Sequence, residues 1–153
     1  MKVIQDPHNK GYFGIGVMQL QTEVNLGTLW RSAYILGASY IFTIDHRYKH
    51  QSSDVQRAWT KIPLYQYKTF DQFYEALPHG CQLIGVEMDK RSVPIHDFSH
   101  PMRASYLLGN EANGLPPSVL DRCHQLLSLP GDHSLNVAVA GSIVIFDRIN
   151  QMQ

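Results

Sequence analysis

Apolar and polar positions alternate between two rhythms along this chain. Residues 12–20 are almost continuously apolar and partly β-branched, which reads as a buried strand. Over residues 25–37, Leu26, Leu29, Trp30, Ala33 and Leu36 recur at helical spacing. Asn25 is a candidate N-cap there, and Gly37 a candidate stop. Residues 40–44 form the next strand pattern, and the polar, His/Gln/Ser-rich residues 46–60 read as a loop. Residues 62–67 predict a short strand that Pro63 confines to an edge or a strand start. A short helix is expected over 71–77, then strands over 81–86 and 105–108. Residues 116–124 predict a helix with Pro in its first turn, 125–129 a strand, and 134–150 a closing helix capped by Ser134, with Asn136 one turn inside. Strands separated by helices imply an α/β fold with a mostly parallel sheet covered on both faces. No repeat or long linker divides residues 1–153, so a single domain is expected.

Composition narrows the class. Hydrophobic residues make up 44% and charged residues 17% of the chain, enough for a sizeable core. Two cysteines, Cys81 and Cys123, are too few for a disulfide framework; they read as small core residues of a protein in a reducing compartment. Without a signal peptide or an apolar run of about 20 residues, the expectation is a cytoplasmic protein that does not enter a membrane. The net charge is zero, which excludes a binder driven by global basicity. That zero conceals an asymmetry. Residues 1–68 hold eight basic and four acidic residues, and the remainder five and nine. A local polyanion-binding patch is one reading, with His8, His46 and His50 adding charge below neutrality; a solvated surface is the other.

Familiar nucleotide motifs are incomplete. Gly14-Ile-Gly16 begins a dinucleotide fingerprint, but Gln19 stands where its third Gly belongs. Gly109 and Gly114 have the spacing of a phosphate-binding loop, but Leu115 follows instead of Lys. His96 and His100 are four apart, yet Pro94 and Pro101 argue against a shared helix, and exposed loop histidines are the simpler reading; no metal site is expected.

Three segments carry chemistry. Asn25-Leu-Gly-Thr-Leu-Trp-Arg31 sets an amide and a guanidinium about 120° apart on an ideal helix. Leu108-Gly-Asn-Glu-Ala-Asn-Gly-Leu115 ends a strand in an open, glycine-bounded loop at the carboxyl end of a parallel sheet. Leu129-Pro-Gly-Asp-His-Ser-Leu-Asn136 enters a helix whose Ala138, Ala140 and Gly141 allow close approach of another segment or a flat ligand.

In this order the three segments resemble the SpoU/TrmH branch of the SPOUT methyltransferases. The resemblance implies a C-terminal deep trefoil knot, S-adenosyl-L-methionine as cofactor, a homodimer, and methylation of a ribose 2′-hydroxyl in RNA, with transfer RNA favoured. By position it implies a cofactor pocket of Val86, Gly109, Leu129, Ser134 and Leu135. Arg31 matches the family's catalytic arginine, and Asn25, Glu111 and Asn136 its supporting polar residues. The chain departs from the family at Ala138, where Ser or Asn is common, and no extension for RNA binding is expected at either end. A catalytically silent RNA-binding relative, motivated by Ala138, and an unrelated flavodoxin-like domain are the alternatives.

Overall fold

The computed structural model describes residues 11–47 and 61–152. The described elements run β1 (Tyr12–Met18), α1 (Glu23–Ile35), β2 (Tyr40–Ile44), β3 (Leu64–Tyr67), α2 (Phe70–Glu75), β4 (Gln82–Val86), β5 (Val93–Pro94), a 3-10 turn (Ile95–Asp97), β6 (Arg103–Leu108), α3 (Pro117–Leu120), β7 (Gln125–Ser128) and α4 (Val137–Met152). The strands form one seven-stranded sheet in the order β3-β2-β1-β6-β4-β7-β5, and every adjacent pair is parallel. The expected α/β class and parallel sheet are therefore present, with β3 at an edge just after Pro63. Of the 46–60 loop and the N-terminal bases, Lys2, Lys10, Lys49 and Arg57, with His8 and His50, lie outside the described residues.

Side chains alternate across the sheet and feed two cores. Ile15, Val17, Ala104, Tyr106 and Leu108 face α1 and α4, where Leu26, Leu29, Trp30, Ala33, Val144 and Ile145 are buried. Phe42, Ile44, Leu83 and Leu107 point the other way, onto Phe73, Leu115, Val119 and Leu120. Gly14 and Gly16 belong to this packing rather than to a nucleotide loop. They are paired in register with Tyr40 and Phe42, and a Cβ on either would lie 2.0 and 2.3 Å from the neighbouring ring. Those two rings fill the space the missing side chains leave.

Helix ends differ from the expectations. Thr22, not Asn25, caps α1, with its hydroxyl accepting from the Asn25 backbone N–H. At the other end Gly37, with φ +93°, stops the helix as expected. Asn136, not Ser134, caps α4: its Oδ1 accepts from the backbone N–H of Ala138 at 2.9 Å and of Val139 at 3.3 Å. An Asn at the cap satisfies two helix-end donors at once, and Ser134 stays in the loop that leads into it. The helix expected over 116–124 is only the four residues of α3. Strand β5, two residues long and containing Pro94, had no pattern to predict it.

His100 is buried, not an exposed loop residue, because β6 and α4 together supply it with polar partners. Its Nε2 lies 2.7 Å from Asp147 and its Nδ1 2.5 Å from the Tyr106 hydroxyl. A neutral ring donating from Nε2 to the carboxylate and accepting at Nδ1 satisfies both contacts. Arg148, also buried, donates to Tyr106 and to the carbonyls of Tyr12, Pro101 and Met102. Burial, joined by repulsion from Arg148, holds the His100 pKa below the ordinary value of 6.5 against the raising pull of Asp147. Burial likewise pushes the Tyr106 hydroxyl up to about 12. Above pH 6.5 the ring is neutral in both folded and unfolded chains. Below it the unfolded chain takes up a proton that the folded chain resists, so stability falls on acidification, by at most about 1.4 kcal/mol per pH unit for one group. Urea unfolding at pH 7.5 and 5.5 should show this slope, and His100→Asn should flatten it.

Candidate functional site

A cleft of about 570 Å³, counted to its open mouth, lies at the carboxyl ends of β4, β6 and β7. Ligand sites of parallel sheets occupy this position because loops there diverge and expose backbone polar groups. All five residues expected to line a cofactor pocket, Val86, Gly109, Leu129, Ser134 and Leu135, line this one cleft. Glu111 reaches it as well. Leu108, Leu129, Leu135 and Val137 give it apolar walls, while Glu87, Glu111 and Ser134 give it polar points.

The loop after β6 is wound tightly. Asn110 and Gly114 form an antiparallel bridge, and the Gly114 N–H donates to the Asn110 carbonyl at 3.0 Å. The buried Asn110 side chain shapes the turn from within: its Oδ1 accepts from Ala112 and Asn113, and its Nδ2 donates to the Gln19 carbonyl. A Cβ on Gly109 would come within 2.3 Å of the Gly114 carbonyl carbon, and Gly114 itself has φ +64°. Both glycines are therefore required by this turn. Their spacing imitates a phosphate-binding loop, but the segment closes on itself. Gln19 and Asp45 hold φ of +58° and +48° just past the ends of β1 and β2, and the Gln19 carbonyl accepts from Asn110 of the cleft loop.

Three polar residues distant in sequence meet at the cleft rim. Asn25, freed from capping, donates from Nδ2 to Glu111 Oε1 at 3.2 Å. Its Oδ1 accepts from Asn136 Nδ2 at 3.0 Å. The same Glu111 oxygen accepts from the Val137 N–H at 3.2 Å. This network pins the start of α1, the loop after β6 and the start of α4 to one another. Asn136 thus serves as helix cap and as cross-link. Ala138 is buried behind it, and its N–H is already taken up by Asn136, so position 138 presents only a methyl group to the core.

Arg31 is not among the residues lining the cleft. It stands exposed on α1, on the same face as Val24, Thr28 and Ile35, one or two turns apart. Val24 and Ile35 are 76% and 63% exposed, so this face is apolar on both sides of the cation. Thr28 adjoins a shallow apolar groove completed by Ala138, Val139, Ser142, Ile143 and Phe146 of α4. The structure therefore gathers Asn25, Glu111 and Asn136 at the rim, while Arg31 stands on α1 outside the lining of the cleft.

Sequence reasoning missed Glu87, Asn110, Gly114 and His133 as cleft residues. An Asn two and three residues before the amides it binds was a usable signal for Asn110. Nothing local marked Glu87 or His133. Among the described residues, no group of three or more His, Cys, Asp and Glu is placed to hold a metal ion, and no helix is long and apolar enough to cross a membrane.

Comparison with known proteins adds the following. The model of the SpoU rRNA Methylase family matches residues 12–146. The mouse tRNA (guanosine(18)-2′-O)-methyltransferase TARBP1 is 24% identical over 141 residues, which are 86% of this chain but 9% of the mouse protein. The chain thus spans a small part of that relative. A solved structure described as giving insights into the 2-OH methylation of C/U34 on tRNA is 25% identical with a TM-score of 0.82, covering 94% of this chain and 97% of that one. The AdoMet-bound rRNA methyltransferase from Sinorhizobium meliloti is also 25% identical, with a TM-score of 0.79 over 94% of this chain and 58% of its own.

Proposed function

The chain belongs to the SpoU rRNA Methylase family, and from that premise we propose that it is an S-adenosyl-L-methionine-dependent enzyme that methylates a ribose 2′-hydroxyl of RNA, with transfer RNA the favoured substrate. The observation that carries this reading is the convergence of Asn25, Glu111 and Asn136, from three separate segments, on the rim of the cleft that the expected cofactor residues line. An unrelated flavodoxin-like domain has no place beside the family match.

The cleft suits the cofactor. Its apolar walls can sandwich an adenine, its loops offer backbone groups to the ring edge, and its carboxylates favour a ligand carrying positive charge. When bound, S-adenosylmethionine supplies an electrophilic methyl group on a sulfonium. The protein's task is then alignment, which is worth several kcal/mol when reacting atoms are held in line. Asn25, Glu111 and Asn136 keep the loops in register around the methyl donor. Glu111, spent on Asn25 and on a helix-end N–H, orders the loop rather than taking a proton. Arg31 holds the RNA phosphate and stabilises the developing 2′-alkoxide. Its guanidinium does not lose a proton at neutral pH, so the hydroxyl proton goes to phosphate or water.

Two further parts of the proposal concern assembly. The exposed apolar faces of α1 and α4 suit a homodimer, in which the α1 of one protomer brings its Arg31 to the cleft of the other. The path of the chain favours a C-terminal trefoil knot. From β7 it must recross β4 and β6 to bring α4 onto α1 and β1, where a Cβ on Gly141 would meet Leu29 at 2.5 Å and Ile15 at 3.2 Å. Free Cys81 and Cys123 are in keeping with a reducing, cytoplasmic setting.

Two measurements test the function. Calorimetry should register S-adenosylhomocysteine binding to the purified protein. Mass spectrometry of transfer RNA nucleosides from cells with and without the gene should show one 2′-O-methylated nucleoside lost. Cofactor binding with no RNA methylated in either cells or purified reactions would leave the catalytically silent relative as the reading.

A further inference from the structure

We propose that Glu87 is a positioning residue that latches the cofactor loop; this rests on the reading of the cleft as an S-adenosylmethionine site. Glu87 follows β4 and lines the cleft, yet none of the three motif segments contains it. Its backbone is fixed at both ends. Its N–H donates to the Leu127 carbonyl at 2.9 Å, and its own carbonyl accepts from the Ser92 hydroxyl at 2.7 Å. From this fixed base the carboxylate spans two loops. Oε2 accepts from the Leu115 N–H at 2.8 Å, and Oε1 from the Met88 N–H at 3.1 Å.

The contact with Leu115 is decisive because of what precedes it. Gly114 is the left-handed residue that turns the chain from the cleft into α3, and a Cβ there would lie 2.3 Å from Glu87 Oε2. The carboxylate packs directly on the bend. Gly109 lies against the same residue from the other side. The loop that presents Gly109, Asn110 and Glu111 to the cleft is thus held at its far end by one ionised side chain. A charged acceptor on a backbone amide is among the stronger hydrogen bonds a protein makes. Without it, the loop loses the tie that keeps its cleft-facing backbone in place before the cofactor arrives, and binding must then supply the ordering.

Three variants and two readouts separate this role from a general structural one. Glu87→Ala should raise the Kd for S-adenosylhomocysteine and the KM for S-adenosylmethionine about tenfold. Its kcat with bulk transfer RNA at saturating cofactor should stay within about twofold of wild type, because the latched loop is restored once the site is full. Glu87→Gln keeps one acceptor for Leu115 but loses the charge and the acceptor for Met88, so it should recover part of the affinity, while Glu87→Asp is too short and should behave like Glu87→Ala. Hydrogen exchange of the Leu115 amide should accelerate in Glu87→Ala, with the amides of β1 and β6 unchanged. Unaltered affinity in a folded Glu87→Ala, or equal loss in the Ala and Gln variants, overturns the latch. If the wild type binds no S-adenosylhomocysteine, the cofactor reading fails, and the Leu115 exchange rate alone decides whether Glu87 holds the loop.

Discussion

Arg31→Ala is expected to reduce methyl transfer to RNA by about 10²–10³-fold, the loss typical when one donor to a developing oxyanion is removed. The same variant should unfold within about 0.5 kcal/mol of the wild type, because Arg31 is an exposed residue on α1 and its removal opens no cavity. S-adenosylhomocysteine should bind it normally, since Arg31 is assigned to the RNA phosphate and not to the cofactor, and it is not among its own chain's cleft-lining residues. The pattern of intact fold, intact cofactor binding and lost turnover separates a group acting on RNA from one that builds the site. Arg31→Lys makes the test finer. An ammonium keeps the charge but cannot form the two-pronged contact with phosphate, so an intermediate loss is expected. A folded Arg31→Ala protein turning over at the wild-type rate would remove the guanidinium from the mechanism.

That Glu111 lines the cleft while Arg31 does not shows where sequence reading stops. Strands were legible because parallel strands buried on both faces are nearly continuous apolar runs, as in β1, β2 and β6. Helix α1 was legible from the spacing of Leu26, Leu29, Trp30 and Ala33, all buried against the sheet. Its start was not, because Thr22 and Asn25 are both good caps by type, and only the distant Glu111 and Asn136 decide that Asn25 is used elsewhere. The same ambiguity displaced the start of α4 from Ser134 to Asn136. The cleft lining was readable through the resemblance, since motif positions carry their neighbours with them. Glu87 was not, because its meaning lies in a contact with Leu115, 28 residues away. His100 illustrates the cost of local evidence: prolines on either side predicted a loop correctly, while Tyr106 and Asp147, which bury it, give no local sign. Gly14 and Gly16 look like a broken nucleotide motif until the register with Tyr40 and Phe42 is known.

Phe146→Asp is expected to convert a dimer into monomers and to lower turnover about as far as Arg31→Ala does while sparing the cofactor site. Phe146 is 64% exposed, with Val139 and Ile143 beside it at 49% and 39%. These residues occur at i, i+4 and i+7 on α4, and Val24 and Ile35 are likewise exposed on α1. Single exposed apolar residues are ordinary, but three on one helix face, bordering a groove shared with Thr28 of α1, mark an interaction surface. A carboxylate placed at its centre would be desolvated without a partner in a symmetric interface, and twice over, since each protomer contributes the same patch. Sedimentation should therefore report twice the chain mass for wild type and a single chain for Phe146→Asp. Cofactor affinity should change by no more than a few-fold, because Phe146 is not among the residues that line the cleft. Turnover should fall as far as in Arg31→Ala if the arginine serves the partner's cleft. Mixing two inactive proteins decides that last point. Arg31→Ala and Glu111→Ala homodimers each lack one half of every site. After subunit exchange, half the dimers are mixed, and each mixed dimer holds one site with both Arg31 and Glu111 intact if the two residues come from different protomers. Recovery of about a quarter of the wild-type rate is the expected result for a symmetric dimer with shared sites. If both residues act within the same protomer, no mixture can recover activity, and the apolar face then serves assembly alone.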